Sequence, residues 1–153
     1  MSDCCCSPKD ATDSKPILCR ACQNNGQLVE ELTIKALVTE LALRRFEPGV
    51  YRFCPDPSCD VVYFSEAGST FTKQDVRVPV WQKEQPGQRT VCYCFDENEA
   101  AIAAELRDTG RSGSVERVRG HIAAHRCACE VRNPRGVCCL GDVIAAVQRA
   151  QAR

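Results

Sequence analysis

Two cysteine pairs stand in the first half of the chain: Cys19-Arg20-Ala21-Cys22, and further on Cys54-Pro55-Asp56-Pro57-Ser58-Cys59. A Cys-x-x-Cys turn presents two sulfurs to one ion, and the prolines of the second pair fix its backbone. Four thiolates in a tetrahedron are the preferred structural ligand set for zinc; the alternative is four unrelated reduced cysteines. Asp60, directly after Cys59, is either an added ligand or a polar residue opening a strand. A second group lies in the other half. Cys92-Tyr93-Cys94 precedes a helical stretch, and Cys127, Cys129, Cys138 and Cys139 fall in the loop before the last helix. A [2Fe–2S] cluster takes four thiolates, two on each iron. A Cys-x-Cys loop can hold one iron while the second loop holds the other. Both loops lie beside helix starts, near Asp96 and Leu140, where backbone N–H groups favour an anionic centre. Thiolates alone would equally accept a second zinc.

The elements that must position these thiols are legible in outline. Leu28, Leu32, Leu37 and Leu41, with Ala36 and Val38, recur at helical spacing and predict a helix from Leu28 to Arg45, stopped by Pro48-Gly49. Val50–Phe53 and Val61–Phe64 are aromatic and β-branched, as strands prefer. Ala67-Gly68-Ser69 reads as a turn. Val76, Val78 and Val80 alternate with Arg77 and Pro79, which predicts an edge strand. The polar stretch 83–90, with Pro86-Gly87, reads as a linker. Beyond it the pattern is all-helical. Asp96 and Glu99 form a candidate capping box for a helix over 97–108, with Gly110 at its C-terminal end. Ser114 is a candidate cap for a helix from Val115 to His125. A last helix runs from Leu140 to Gln151, with Val143, Ile144 and Val147 on one face.

Composition sets the class. The chain has 153 residues, 13 of them cysteine, with 20 basic against 20 acidic residues and 6% aromatics. Balanced charge argues against a nucleic-acid binder. No apolar run reaches the ~18 residues of a membrane span, and Met1 to Lys15 lacks the apolar stretch of a secretory signal. The expected compartment is the cytoplasm, where clustered cysteines serve as metal ligands rather than disulfides. With so few aromatics the core is modest, so metal is expected to contribute to folding. No Ser–His–Asp set, phosphate-binding glycine loop or paired acid–base carboxylates is present, so no stand-alone catalytic activity is expected beyond electron transfer or metal-ion reduction.

The run Val91-Cys92-Tyr93-Cys94-Phe95, followed by a helical stretch and then by Ala128-Cys129 and a loop ending at Cys139, resembles the bacterioferritin-associated-ferredoxin-like [2Fe–2S] domain. Residues 17–82, with Phe53-Cys54-Pro55-Asp56-Pro57-Ser58-Cys59-Asp60-Val61-Val62-Tyr63-Phe64 and Asp75-Val76-Arg77-Val78-Pro79-Val80, resemble the zinc-binding unit of the CopZ-type copper chaperones. The run Cys129-Glu130-Val131-Arg132-Asn133-Pro134-Arg135-Gly136-Val137-Cys138-Cys139-Leu140-Gly141-Asp142-Val143 is similar to that same N-terminal region. The resemblance implies an α+β protein: a leader over 1–16, a small zinc-binding unit over 17–82, a linker over 83–90 and a helical [2Fe–2S] domain over 91–153. It implies Cys19, Cys22, Cys54 and Cys59 as zinc ligands, and Cys92, Cys94, Cys129 and Cys139 as cluster ligands. Cys139 is preferred to Cys138 because Val143 then occupies the place of an apolar helix residue in the related domains. The Met-x-Cys-x-x-Cys loop of the family's copper-carrying domain is not found, so that domain is expected to be absent.

Two functions follow as expectations. The leading one is a one-electron carrier in copper or other heavy-metal handling, its cluster biased by Arg126, Arg132 and Arg135. The other is a Cu(I) or soft-metal trafficking module using the surplus thiols Cys4, Cys5, Cys6, Cys127 and Cys138, since thiolates suit that ion. A redox or oxygen sensor is a third. Expected partners are a redox protein or a metal transporter or chaperone. Cys4–Cys6 is also read as a disordered tail, and His121 with His125, spaced i, i+4, as a solvated helix face or a metal pair.

Overall fold

The prolines and glycines between short β-branched and aromatic runs force the first half of the chain into a meander. In the computed structural model, which describes residues 17–152, four short antiparallel strands form one sheet in the order β1 (Gln27–Val29), β2 (Tyr51–Phe53), β3 (Val61–Ser65), β4 (Thr70–Thr72). Tyr51 pairs with Ser65 and Phe53 with Tyr63, and β3 shifts register against β4 between Val61 and Tyr63. Every residue of β3 is buried. The strand sends Val62 and Tyr63 into the main core and Val61 and Phe64 into a small core shared with Cys19, Cys54 and Cys59.

The helix expected from Leu28 to Arg45 is broken. Leu28 lies in β1, and the rest divides into α1 (Glu31–Leu37) and α2 (Glu40–Leu43). Val38 leaves helical geometry to bridge Val76, and Thr39 caps α2 by accepting from the Ala42 N–H at 3.2 Å. The leucine stripe also faces the wrong way: Leu28, Leu32 and Leu41 are exposed, while Thr33, Ile34, Leu37, Val38 and Ala42 are buried. Val76–Val80 is not a strand. Val76 makes one bridge, and Val76 and Val80 fill the core as irregular backbone. The strand that completes the sheet is β4, which sequence reasoning missed.

The second half is not all-helical. A hairpin of β5 (Thr90–Cys92) and β6 (Glu97–Asn98) leads into α3 (Glu99–Thr109), α4 (Ser114–Ala123), α5 (Cys129–Arg132) and α6 (Leu140–Gln151). α6 packs on α3, α4 and β5 through Val143, Ala146 and Val147 against Val91, Ile102, Val118 and Ile122. Asp96 is not a cap. It takes a left-handed turn at φ 55°, and Asn98 caps α3 by accepting from the Ala101 N–H. Glu99 instead binds Arg89 and the Gly87 N–H. Gly110 does end α3, at φ 75°. Ser114 is the first residue of α4, and its hydroxyl donates to buried Glu97 at 2.8 Å.

Arg117 joins this corner by bonding Glu97 at 2.7 Å and Glu105 at 2.6 Å. Its guanidinium pulls the Glu105 carboxyl down to about 2. A carboxylate held below its unfolded value stabilises the fold above that value, near 4.5, and loses the contribution as pH falls toward 2. The Glu105 side chain is 30% exposed and that of Arg117 44%, so solvent screening keeps the effect small. Glu105→Gln should flatten the acid limb of the stability profile between those pH values. Identical profiles in acid denaturation would show that the pair contributes nothing.

The two halves are packed together. α1 lies against α5, and the buried Tyr63 hydroxyl donates to the Pro134 carbonyl at 2.6 Å. Gly136 has φ 70°, a conformation glycine adopts without strain. A Cβ at this position would sit 2.6 Å from Thr33 Oγ1. Only a residue lacking a side chain lets the 133–136 loop approach α1 this closely.

Candidate metal centres

The first cysteine pair sits in a tight turn closed by Leu18 bridging Asn25. The Cys19 N–H donates to Asn24 O at 2.9 Å, and Gln23 turns the chain at φ 62°. The second pair follows β2. Asp56 shapes its turn by accepting from the Ser58 N–H at 2.8 Å, and its other oxygen accepts from Asn24 Nδ2 at 2.7 Å, tying the two turns together. The sulfurs converge, Cys19 to Cys59 at 3.9 Å and Cys22 to Cys54 at 3.5 Å. All four lie within 4.8 Å of one another. A zinc tetrahedron with Zn–S bonds of about 2.3 Å has edges of about 3.8 Å, so the spacing suits one ion. Burial pushes the Cys54 thiol up. At half-exposed Cys22 burial also raises the thiol, but the Asn24 N–H and the neighbouring sulfurs outweigh it and the net shift is downward. Asp60 does not join this set. Its carboxylate is exposed and pairs with Lys73 at 3.6 Å.

The second group assembles from three elements. Cys92 ends β5, Cys94 lies in the hairpin turn, Cys129 starts α5 and Cys139 precedes α6. Cys92, Cys129 and Cys139 are buried and Cys94 is half-buried. Cys94 Sγ lies 3.8 Å from Cys129 Sγ and accepts from the Ala128 N–H at 3.2 Å. The thiol of Cys139 touches Cys129 and Cys92; it is held strongly protonated by these two sulfurs, while Cys92 is lowered by the bond from Cys139. The four sulfurs are therefore strung in the order 92, 139, 129, 94. Among the described residues, only the first set has all its sulfurs within 4.8 Å of one another.

Tyr93, between the two thiols of its loop, has its hydroxyl fixed: it donates to Pro79 O at 2.6 Å and accepts from the Trp81 N–H at 3.0 Å. Phe95 stacks on His121 at 3.9 Å. His125 lies past the end of α4 at φ 56°, so the two histidines share no helix face and offer no paired site. Cys127 and Cys138 are both disulfide-bonded and half-buried. Arg135 binds Asp142 at 3.4 Å, whereas Arg126 and Arg132 are exposed. Cys4, Cys5 and Cys6 lie outside the described residues. Sequence reasoning missed the positioning tyrosines, Tyr63 and Tyr93, and also Lys83, whose polar neighbours made it look like part of a linker.

A family model described as a zinc binding domain, of the CopZ type, matches residues 17–77. The solved N-terminal domain of Archaeoglobus fulgidus CopZ superposes with a TM-score of 0.69 at 31% identity, over 84% of this chain and 96% of that one. The chain belongs to the family of the CopZ N-terminal domain. The first cysteine set thus lies in a zinc-binding CopZ domain, and that domain together with its four converging thiols supports Zn2+ as a cofactor. The similarity extends past residue 77, since the CopZ domain superposition takes in most of the chain. The copper chaperone CopZ of Archaeoglobus fulgidus is 34% identical over 121 residues. That alignment takes in 79% of this chain but 57% of the relative, so the chain spans little more than half the length of that chaperone.

Proposed function

We propose that this chain is a metal-handling module of copper trafficking, with Cu(I) or a similar soft cation as its cargo. The reading is carried by one observation: two separate sets of four thiols gather in a fold shared with the N-terminal domain of a copper chaperone. In this reading residues 17–82 form a unit organised by zinc on Cys19, Cys22, Cys54 and Cys59. Residues 91–153 form a second unit, joined through the stretch 83–90. A metal transporter, another chaperone or a redox protein is the partner, and the compartment is cytoplasmic. No helix among the described residues is long and apolar enough to cross a membrane. Of the surplus thiols, Cys127 and Cys138 must be reduced before they can take cargo, because each is held in a disulfide. The test is titration with Cu(I) against a chromophoric Cu(I) chelator under reductant. Tight binding that disappears when Cys4, Cys5, Cys6, Cys127 and Cys138 are all replaced supports the module. Binding no tighter than that of the replaced chain removes it.

A second reading, one-electron transfer, is supported by the shape of the second set. Its sulfur contacts run from Cys92 to Cys139 to Cys129 to Cys94 instead of converging within 4.8 Å as those of the first set do, which suits two metal ions side by side better than a single tetrahedron. Three of these cysteines are buried, and Cys139 abuts the start of α6, a twelve-residue helix, whose unpaired N–H groups favour negative charge. Cys92, Cys94, Cys129 and Cys139 would hold a [2Fe–2S] cluster, which when bound supplies a one-electron couple. The chain's own residues would shield it and fix its loops through Tyr93 and Tyr63. Metal and acid-labile sulfide analysis of protein purified without oxygen tests this. About two irons, two sulfides and one zinc per chain support it, and two zincs with no sulfide end it.

A further inference from the structure

Lys83 is 7% exposed, a rare setting for a lysine. It closes the 3₁₀ turn Trp81–Lys83, and its side chain reaches across to the second cysteine turn. Nζ donates to Asp56 O at 2.7 Å and to Cys59 O at 2.8 Å. These carbonyls satisfy hydrogen bonds but bring no net charge. Among the described residues no carboxylate forms an ion pair with Lys83. The Asp56 carboxylate is turned to Ser58 and Asn24. A buried cation without a counter-charge is costly. The turn that Lys83 grips carries two of the four sulfurs, which can supply one, and the Lys83 charge already favours the Cys54 thiolate. Four thiolates around one divalent ion carry a net charge of −2.

We propose that Lys83 is the counter-cation of the metal-loaded Cys19, Cys22, Cys54 and Cys59 site, a positioning residue that grips the Cys54–Cys59 turn and offsets the excess negative charge of the tetrathiolate. The inference rests on the reading that these four cysteines hold zinc. It gives that site a built-in preference for a fully deprotonated, four-sulfur complex over one with fewer thiolates.

The test is the rate of zinc release to an excess chromophoric chelator, read in the full chain. Lys83→Met and Lys83→Gln should each speed release by about 10- to 100-fold, the range for outer-shell partners of a metal ligand. The same changes are then made in a Cys22→His background. Cys22 is half-exposed, and a neutral imidazole in its place drops the site charge to −1. The acceleration should shrink to a fewfold there, because less charge is left to offset. Equal acceleration in both backgrounds would reduce Lys83 to a packing contact and overturn the proposal. So would release at the wild-type rate in both Lys83 variants. Should the unaltered chain take up no zinc at all, the zinc reading itself fails, which is a separate result.

Discussion

Cys54→Ser should empty the zinc site and unfold the sheet-bearing half of the chain. The reason lies in the zinc end of the sheet, which has a small core of its own, apart from the larger apolar core under Tyr51, Phe53, Tyr63 and Phe71. Its four strands are three to five residues long, and the small core behind β3 consists of Cys19, Cys54 and Cys59 with Val61 and Phe64. Three of five members are thiols that gain most of their cohesion from a shared ion. Structural zinc sites of this kind bind with about 10–16 kcal/mol of apparent free energy, which is also folding free energy. A serine at this fully buried position offers a poor ligand and leaves a hydroxyl to be satisfied. The expected outcome is zinc falling from one ion per chain to none, with loss of the strand signal in circular dichroism. Chelation of the wild-type protein should give the same spectrum. A metal-free chain that keeps its cooperative urea transition would refute a structural role for the ion.

Cys139→Ser and Cys138→Ser, although adjacent, should behave oppositely. Cys139 is buried and touches both Cys92 and Cys129. Cys138 is half-buried and turned into a disulfide. If the second set holds a cluster, Cys139→Ser should lose iron, sulfide and visible absorption together, since one iron is left with a single protein thiolate. Cys138→Ser should retain the colour and release one titratable thiol, that of the cysteine to which Cys138 is bonded. The reverse pattern would move the fourth ligand to Cys138. Colour in both variants would remove Cys139 from the ligand set.

How far the sequence disclosed this molecule depends on the kind of signal. The four sulfurs of the first set were legible because short cysteine spacings are a local property, and the structure brings all four together. β2 and β3 were legible through their aromatic and β-branched content, and α6 through an apolar face on a long, uninterrupted segment. The second set was legible as two cysteine-bearing loops, but not the choice between neighbouring cysteines, which depends on where α6 begins. Tertiary pairing hid the rest. The bridge from Val38 to Val76 broke a helix whose spacing looked continuous, and it used Val76 as irregular backbone rather than as a strand. β4 is three residues with two threonines, too short to leave a pattern. The hairpin of β5 and β6 is set by a non-glycine left-handed turn at Asp96, which reads as a helix cap. Lys83 is invisible from sequence because a lysine in a polar run is usually solvated; only the geometry shows two carbonyls waiting for it.

The bond from Tyr63 to Pro134 and the close seat of Gly136 on Thr33 have a consequence for biosynthesis. A chain made from its N-terminus completes the sheet and its zinc ligands well before the loop carrying Cys139 leaves the ribosome. The early half is then a finished mould on which the late loop is cast. Zinc supply during translation would therefore limit how well the thiols of the second set are brought together.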